Sequence, residues 1–174
     1  VLRMFESRIF QDPRLPFIGN LSALMRTLSR LRGTNGLVGY TLFRMNIYKL
    51  SRYNRIFGRP ATDTILEDYI LKLKSFGGNS GGVFRLGGDN FFGLIPNEMT
   101  PAVHKFFEGY IINSGDDTSE MVLQSRAGFY QIESNEETND SIIGRTNTTF
   151  AKTTAKNKIC YFDIKEEKLA VERS

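Results

Sequence analysis

The sequence contains no tryptophan, one cysteine (Cys160) and one histidine (His104) among its 174 residues. A single cysteine excludes both an internal disulfide framework and a cysteine-based zinc cluster. A single histidine excludes a metal site that needs two, and a Ser-His-Asp triad would have to use His104. We expect His104 to be an ordinary surface or core residue of a helix, and Cys160, in the stretch KICYFD, to be a buried strand thiol rather than a nucleophile.

Long apolar runs are also absent, so no segment has the length of a membrane span. The 23 basic and 19 acidic residues give a net charge of +4, which suits an anionic ligand. The lysines and arginines are scattered rather than grouped, so we expect no nucleic acid partner. The first residue is valine, and we interpret the chain as a piece of a longer protein: a cytoplasmic domain whose full-length protein is compatible with a membrane anchor.

The spacing of apolar residues predicts alternating helices and strands. Helices are expected over 20–33, 48–58, 62–76, 100–111 and 141–155, and strands over 36–47, 121–129 and 158–164, with a hairpin over 84–97. Asn20 and Thr100 are the candidate caps of the first and fourth helices, the second helix ends on Gly58, and GDDTSE, which begins at Gly115, is an exposed acidic turn. Two helical crossovers imply parallel strand pairs, and the hairpin adds an antiparallel pair. The predicted fold class is α/β, a single domain with a mixed central sheet of about five strands flanked by helices.

Two glycine-rich stretches raise the question of a phosphate site. GGNSGG (Gly77–Gly82) lacks the Gly-Lys-Ser/Thr ending of a P-loop, so we interpret it as a flexible loop. FRLGGDNFFGLIPN (Phe84–Asn97) reads as a hairpin with Asp89 and Asn90 at its tip. Ordinary turn chemistry explains both polar residues, and a phosphate or metal site is the alternative.

Four stretches, in the same order and at compatible spacing, resemble the GGDEF domain of bacterial diguanylate cyclases. GGDNF (Gly87–Phe91) stands at the signature Gly-Gly-(Asp/Glu)-Glu-Phe. DPRLPFIGN resembles the opening segment of the family through Asp12 and Pro13. NIYKLSRYNRIFGRPATD keeps the family's Asn54, Gly58 and Asp63, and AKTTAKNKICYFD resembles the segment that leads into the last strand.

The resemblance implies a nucleotidyl cyclase-like fold and a set of domain limits. Residues 12–165 are expected to form the GGDEF-like domain. Residues 1–11 would be a linker or helix from an upstream region. Residues 166–174, the part of KEEKLAVERS that follows Lys165, would link to a downstream domain.

The same resemblance identifies altered catalytic positions. Diguanylate cyclases join two GTP molecules into cyclic di-GMP, and carboxylates hold the metal ions that this reaction needs. Asn46 stands at the family's metal-binding aspartate, and Asn90 stands at the glutamate needed for catalysis. An amide brings no negative charge and accepts no proton near neutral pH, so no catalytic set is intact and we expect no cyclase activity. Asp89, together with Asn46, would hold Mg²⁺ only when GTP is bound.

Nucleotide binding is a separate matter from catalysis. The resemblance implies that Asn54 and Asp63 read the guanine base, with the alternative that Asn54 is a surface residue and Asp63 an acid in a first helical turn. The full nucleotide-binding set implied is Asn54, Asp63, Gly87, Gly88, Lys152 and Lys156, the lysines contacting phosphate. Asn147–Thr149 depart from the family's Ala-Leu-Tyr beneath the phosphates, and Gly78 and Gly81 replace the Arg and Asp of its product-inhibition site.

The sequence therefore supports three functions. The first is a degenerate GGDEF domain in cyclic di-GMP signalling that binds GTP and regulates an adjacent domain, such as an EAL phosphodiesterase. The second is an active cyclase with unusual metal ligands. The third is a structural module for dimerisation, and a homodimer is compatible with all three.

Overall fold

The computed structural model describes residues 15–113 and 120–173. The sequence expectations for residues 1–11, for Asp12 and Pro13, and for the acidic turn at 115–119 lie outside these residues. Within the described ranges, no helix combines the length and the apolar character that a bilayer crossing requires.

A five-stranded mixed sheet forms the centre of the fold, as the sequence predicts. Its order is β2-β3-β1-β6-β7. The bounds are β1 Tyr40–Ile47, β2 Gly82–Gly87, β3 Asn90–Pro96, β6 Ser125–Gln131 and β7 Ile159–Tyr161, with a separate two-stranded pair of β4 Tyr110–Asn113 and β5 Glu120–Leu123.

Six α-helices surround the sheet in the described residues. They are α1 Leu21–Gly33, α2 Leu50–Phe57, α3 Arg59–Ser75, α4 Thr100–Glu108, α5 Asn139–Ala151 and α6 Ile164–Arg173. The side chain of Asn20 caps α1 by accepting a 3.0 Å hydrogen bond from the Ala23 N–H, as its position before the helix predicts. Gly58 separates α2 from α3 with a φ of +79°, a conformation that glycine adopts without steric cost.

The helices cover opposite faces of the sheet. Alternate residues of a strand point to opposite faces, so β1 sends Phe43 and Met45 to one side and Leu42 to the other. On the first side, which we call the aromatic face, buried side chains of the sheet pack with α3 and α4. On the second side, which we call the arginine face, they pack with α1 and α5.

The predicted parallel pairings are wrong except for one. Among the strands named here, β6 and β7 alone pair in parallel, whereas β1 pairs antiparallel with both β3 and β6. The helical crossover from β1 does bring the chain back in the same direction at β2, but β3 lies between those two strands. A parallel direction after a crossover therefore does not mean adjacent strands.

The region after α4 differs from the predicted helix and single strand. Tyr110 and Ile111 belong to β4, and the expected strand over 121–129 is two strands, β5 and β6. The helix ends because Gly109 has an extended backbone. Tyr110 nevertheless packs against Phe106, with 5.0 Å between the ring centroids, so it contributes to the same apolar cluster that a helical spacing suggested.

Smaller corrections concern caps, burial and the chain end. Helix α4 has Met99 as its N-cap, without a side-chain hydrogen bond, rather than the expected Thr100. Cys160 lies in β7 as predicted but is only partly buried, and burial raises the pKa of its thiol. The stretch expected to be a C-terminal linker is helical in its described part, as α6.

Candidate functional site

Three polar residues form a row across the sheet on the arginine face. Asn46, one residue before the end of β1, pairs directly with Asn90 of β3 on one side and with Arg126 of β6 on the other. Directly opposed residues of antiparallel strands share a face. The two amides that the resemblance places at altered catalytic positions are therefore neighbours in space.

The hairpin turn places Asp89 beside this row. Gly87 and Gly88 have positive φ values of 147° and 57°, which explains the need for glycine at both positions. The Nε of Arg85 donates a 3.0 Å hydrogen bond to the carbonyl oxygen of Gly88 and thereby fixes the turn. Asp89 is partly exposed and directly precedes Asn90, so the one carboxylate retained from the signature lies next to the row.

These residues do not fit a divalent cation held by the protein alone. The Oδ1 of Asn46 is buried and has no hydrogen-bond partner, but it carries no net charge, and Arg126 lies directly across the strand from it. No group of three or more acidic, histidine or cysteine side chains suited to a metal ion occurs in the described ranges. Mg²⁺ is usually held by one or two carboxylates together with waters and substrate phosphates, and Asp89 is the carboxylate that lies next to this row.

The site also contains two arginines that the sequence analysis did not identify. Arg126 belongs to the row, and Arg44 lies two residues before Asn46 on the same face of β1. Their guanidinium carbons are 4.8 Å (Arg44) and 5.1 Å (Arg126) from the centroid of the Phe150 ring in α5. The signal in the sequence was a charged residue inside each of two otherwise apolar strands, TLFRMNI and SRAGFY.

Asn147 and Thr149, where the sequence departs from the family, lie on the part of α5 that packs against this region. Asn147 accepts a 3.0 Å hydrogen bond from Arg44. The hydroxyl of the buried Thr149 donates 2.8 Å to the carbonyl of Arg145 one turn earlier in α5. A methyl group at Gly128 would lie 2.3 Å from the Phe150 nitrogen, so α5 lies directly on β6 here.

Lys152, expected to contact phosphate, is paired with a carboxylate of the last described helix. Its Nζ lies 2.7 Å from Oε2 of Glu166 in α6. About two turns earlier, in α5, Arg145 bonds Oε1 of Glu167 at 3.0 Å. The guanidinium of Arg145 also lies 5.1 Å from the ring of Phe162. Helix α6 is therefore held against α5 by two ion pairs, one of which uses the expected phosphate ligand.

Lys156, the second expected phosphate residue, lines a cavity of about 290 Å³ between α4 and the segment before β7. His104 and Lys158 line the same cavity. Among the described residues, Lys156 forms no contact with the Asn90–Asn46–Arg126 row. It also shares no hydrogen bond or ion-pair partner with Lys152.

The two residues expected to read guanine are exposed. Asn54 lies on α2 and Asp63 on α3, and neither side chain forms a hydrogen bond or ion pair within the described ranges. The alternative that placed Asp63 in a first helical turn is wrong, because the first turn of α3 contains no acidic residue. Both side chains are thus available to a ligand.

The backbone of the loop before the hairpin disfavours side chains at both positions of the family's product-inhibition site, by close approach at Gly81 and by its positive φ at Gly78. A Cβ on Gly81 would lie 2.2 Å from the carbonyl oxygen of Leu94, and Gly78 has a φ of +65°. The backbone at position 81 therefore excludes any side chain without rearrangement.

Comparison with known proteins agrees with this fold. The model of the diguanylate cyclase GGDEF domain matches residues 21–158. The chain belongs to the GGDEF family, the domain family of cyclic di-GMP signalling, whose cyclases generally use Mg²⁺. A comparison with curated proteins gives no match.

Solved structures share the fold at low sequence identity. The diguanylate cyclase SiaD of Pseudomonas aeruginosa, solved with its activator SiaC, has a TM-score of 0.69 at 18% identity; the match covers 92% of this chain and 64% of that one. The GGDEF domain of DgcB from Caulobacter crescentus, solved with cyclic di-GMP, has a TM-score of 0.68 at 15% identity, covering 88% and 93%. The GGDEF domain of PA1120 (YfiN or TpbB) from Pseudomonas aeruginosa has a TM-score of 0.70 at 15% identity, covering 92% and 99%.

Proposed function

We propose that this chain is a GGDEF domain without cyclase activity that binds GTP and regulates an adjacent domain, such as an EAL phosphodiesterase. The observation that carries the proposal is the pairing of Asn46 with Asn90 across β1 and β3. Two neutral amides lie side by side where the reaction needs negative charge and a proton acceptor.

GTP binding is supported by side chains that remain available. Asp63 and Asn54 are exposed and unbonded, and a carboxylate facing the guanine N–H groups would discriminate GTP from ATP. Mg²⁺ stays a prediction: Asp89 with Asn46 would hold it only together with the phosphates of GTP, which would have to supply most of the ligands.

Regulation is supported by the ion pair between Lys152 and Glu166. If Lys152 contacts phosphate, then a bound nucleotide competes with Glu166 for the same ammonium group. Occupancy of the site and the position of α6 are then linked, because a ligand that prefers one arrangement shifts the population toward it.

The test is paired titration of GTP and ATP into the wild-type chain and into Asp63→Ala. We expect GTP to bind more tightly than ATP, and Asp63→Ala to weaken GTP by about 10- to 150-fold, the equivalent of about 1.5–3 kcal/mol for a charge-assisted hydrogen bond. Lys152→Ala should weaken both nucleotides alike, because a phosphate contact does not read the base. If the wild-type chain binds GTP and ATP equally well, or binds neither at millimolar concentration, the GTP-binding proposal is wrong. The structural dimerisation module is then the remaining function.

The active-cyclase alternative is tested by product formation. The chain should make no cyclic di-GMP from GTP with Mg²⁺ or Mn²⁺. Product above a no-protein control that disappears in Asp89→Ala would establish the alternative instead.

A further inference from the structure

Asn46, at the position that the resemblance assigns to a metal-binding aspartate, has positively charged neighbours. Arg126 is the direct cross-strand neighbour of Asn46, and Arg44 shares its strand and its face. Both guanidinium groups contact the one ring of Phe150. Where the family concentrates negative charge for a cation, this chain concentrates two positive charges.

The two arginines have only neutral partners within the protein. Arg44 donates to Asn147 Oδ1 at 3.0 Å. Arg126 donates to the Thr153 hydroxyl at 2.9 Å and to its carbonyl oxygen at 3.3 Å. No carboxylate pairs with either arginine in the described ranges. Both are partly buried, and a partly buried charge without a counterion is unfavourable.

One buried donor of this pair is also unsatisfied. The Nε of Arg44 has no hydrogen-bond partner, although buried polar atoms are normally bonded. Burial lowers the pKa of Arg44, which reflects the cost of holding its charge there. An anionic ligand would supply both the missing charge and acceptors for the guanidinium forks.

We propose that Arg44 and Arg126 form an anion site, so that a polyphosphate group binds here without requiring a divalent cation. Thr153, which accepts both hydrogen bonds from Arg126, directly follows Lys152 in the chain. The choice of a nucleotide triphosphate as the ligand rests on the proposed function. The anion site itself rests only on the charges and their neighbours.

The test uses inorganic tripolyphosphate, which carries the charge of the nucleotide without the base. Calorimetric titration is carried out with EDTA and, separately, with Mg²⁺. We expect binding in EDTA, with no more than about a twofold gain from Mg²⁺, and a loss of about tenfold or more in Arg126→Gln. Arg30→Gln makes the same change of charge at an exposed position of α1 and should change the affinity less than about twofold.

A second variant separates anion binding from folding. Arg126→Lys keeps the charge and most of the stem but lacks the planar fork, so it should bind tripolyphosphate with intermediate affinity. Thermal unfolding of each variant shows whether it is folded. A folded Arg126→Gln variant with unchanged affinity would overturn the proposal.

Parallel titration of GTP distinguishes this proposal from the proposed function. Tripolyphosphate binding in EDTA that depends on Arg126, without GTP binding, would support the anion site and remove the GTP proposal. GTP binding that EDTA abolishes would remove the anion site and leave the GTP proposal. Absence of binding by both ligands would overturn both.

Discussion

The aromatic and arginine faces of the central sheet are built from the same strands but differ in what they bury. On the aromatic face, Phe43, Phe107 and Phe129 pack with ring centroids 5.2–5.9 Å apart. The arginine face is apolar around α1 but ends in asparagines, threonines and two arginines around α5. The difference indicates that the aromatic face stabilises the fold, whereas the end of the arginine face near α5 contributes polar side chains that the core does not require. The GGDEF fold is therefore shared with solved structures that are only 15–18% identical in sequence.

The largest expected effect comes from breaking the aromatic face. Leu73 in α3 is 1% exposed, whereas Leu71 in the same helix is 45% exposed. Leu73→Ala should lower the free energy of unfolding by about 2–5 kcal/mol through lost burial and a cavity. Leu71→Ala should change it by about 0.5 kcal/mol or less. Urea unfolding measures both, and equal losses would show that α3 does not pack as described.

A smaller effect is expected where α6 meets the arginine face. Glu166→Gln removes the charge that pairs with Lys152 and should increase GTP affinity up to about fivefold, the equivalent of about 1 kcal/mol for an exposed ion pair. Glu172→Gln, an exposed change of the same kind on the same helix, is the control. Weaker GTP binding in Glu166→Gln would contradict competition for Lys152.

The polar end of the arginine face should contribute little to stability. Arg44→Met removes a partly buried charge and an unsatisfied donor, so the free energy of unfolding should change by less than about 1 kcal/mol or increase. The same variant should lose affinity for tripolyphosphate. A large loss of stability with unchanged anion binding would show that Arg44 serves packing instead, and that both faces maintain the fold.

The last prediction concerns the free energy of unfolding at high pH, which depends on the apolar part of the arginine face. Burial, followed by the hydrogen bond to Glu137, raises the pKa of Tyr130 from 10.0 to about 12. Between pH 10 and 12 the folded state retains a proton that the unfolded chain releases, so the free energy of unfolding should fall as the pH rises through this window. Tyr130→Phe should flatten that fall, and Tyr48→Phe, at a partly exposed tyrosine, should leave it in place. An unchanged slope in Tyr130→Phe would assign the fall to another group.

The sequence predicted what depends on local patterns. The Asn20 cap, the glycine between α2 and α3, and the hairpin around Gly88 each follow from residue types that favour one local conformation. The mixed five-stranded sheet followed from the order of elements. β4 was missed because Tyr110 and Ile111 continue the apolar spacing of α4, which ends before Gly109, and β5 was merged with β6 into one expected strand.

The candidate site was predictable only in part, for a different reason. The resemblance identified Asn46, Asp89, Asn90 and Lys152 one at a time. The contacts that give them meaning cross between elements: Arg126 faces Asn46 through strand pairing, and Glu166 reaches Lys152 from another helix. Such pairings depend on register, which residue spacing along one strand does not determine.

The Asn46–Arg126 neighbour pair also has a consequence for protein engineering. An aspartate at position 46 would face a guanidinium directly across the strand pair and would form an ion pair with it. Under the proposed function, an attempt to build a cyclase on this chain therefore has to replace Arg126 together with Asn46 and Asn90. A carboxylate introduced beside the unchanged arginine would neutralise its charge instead of holding a metal ion.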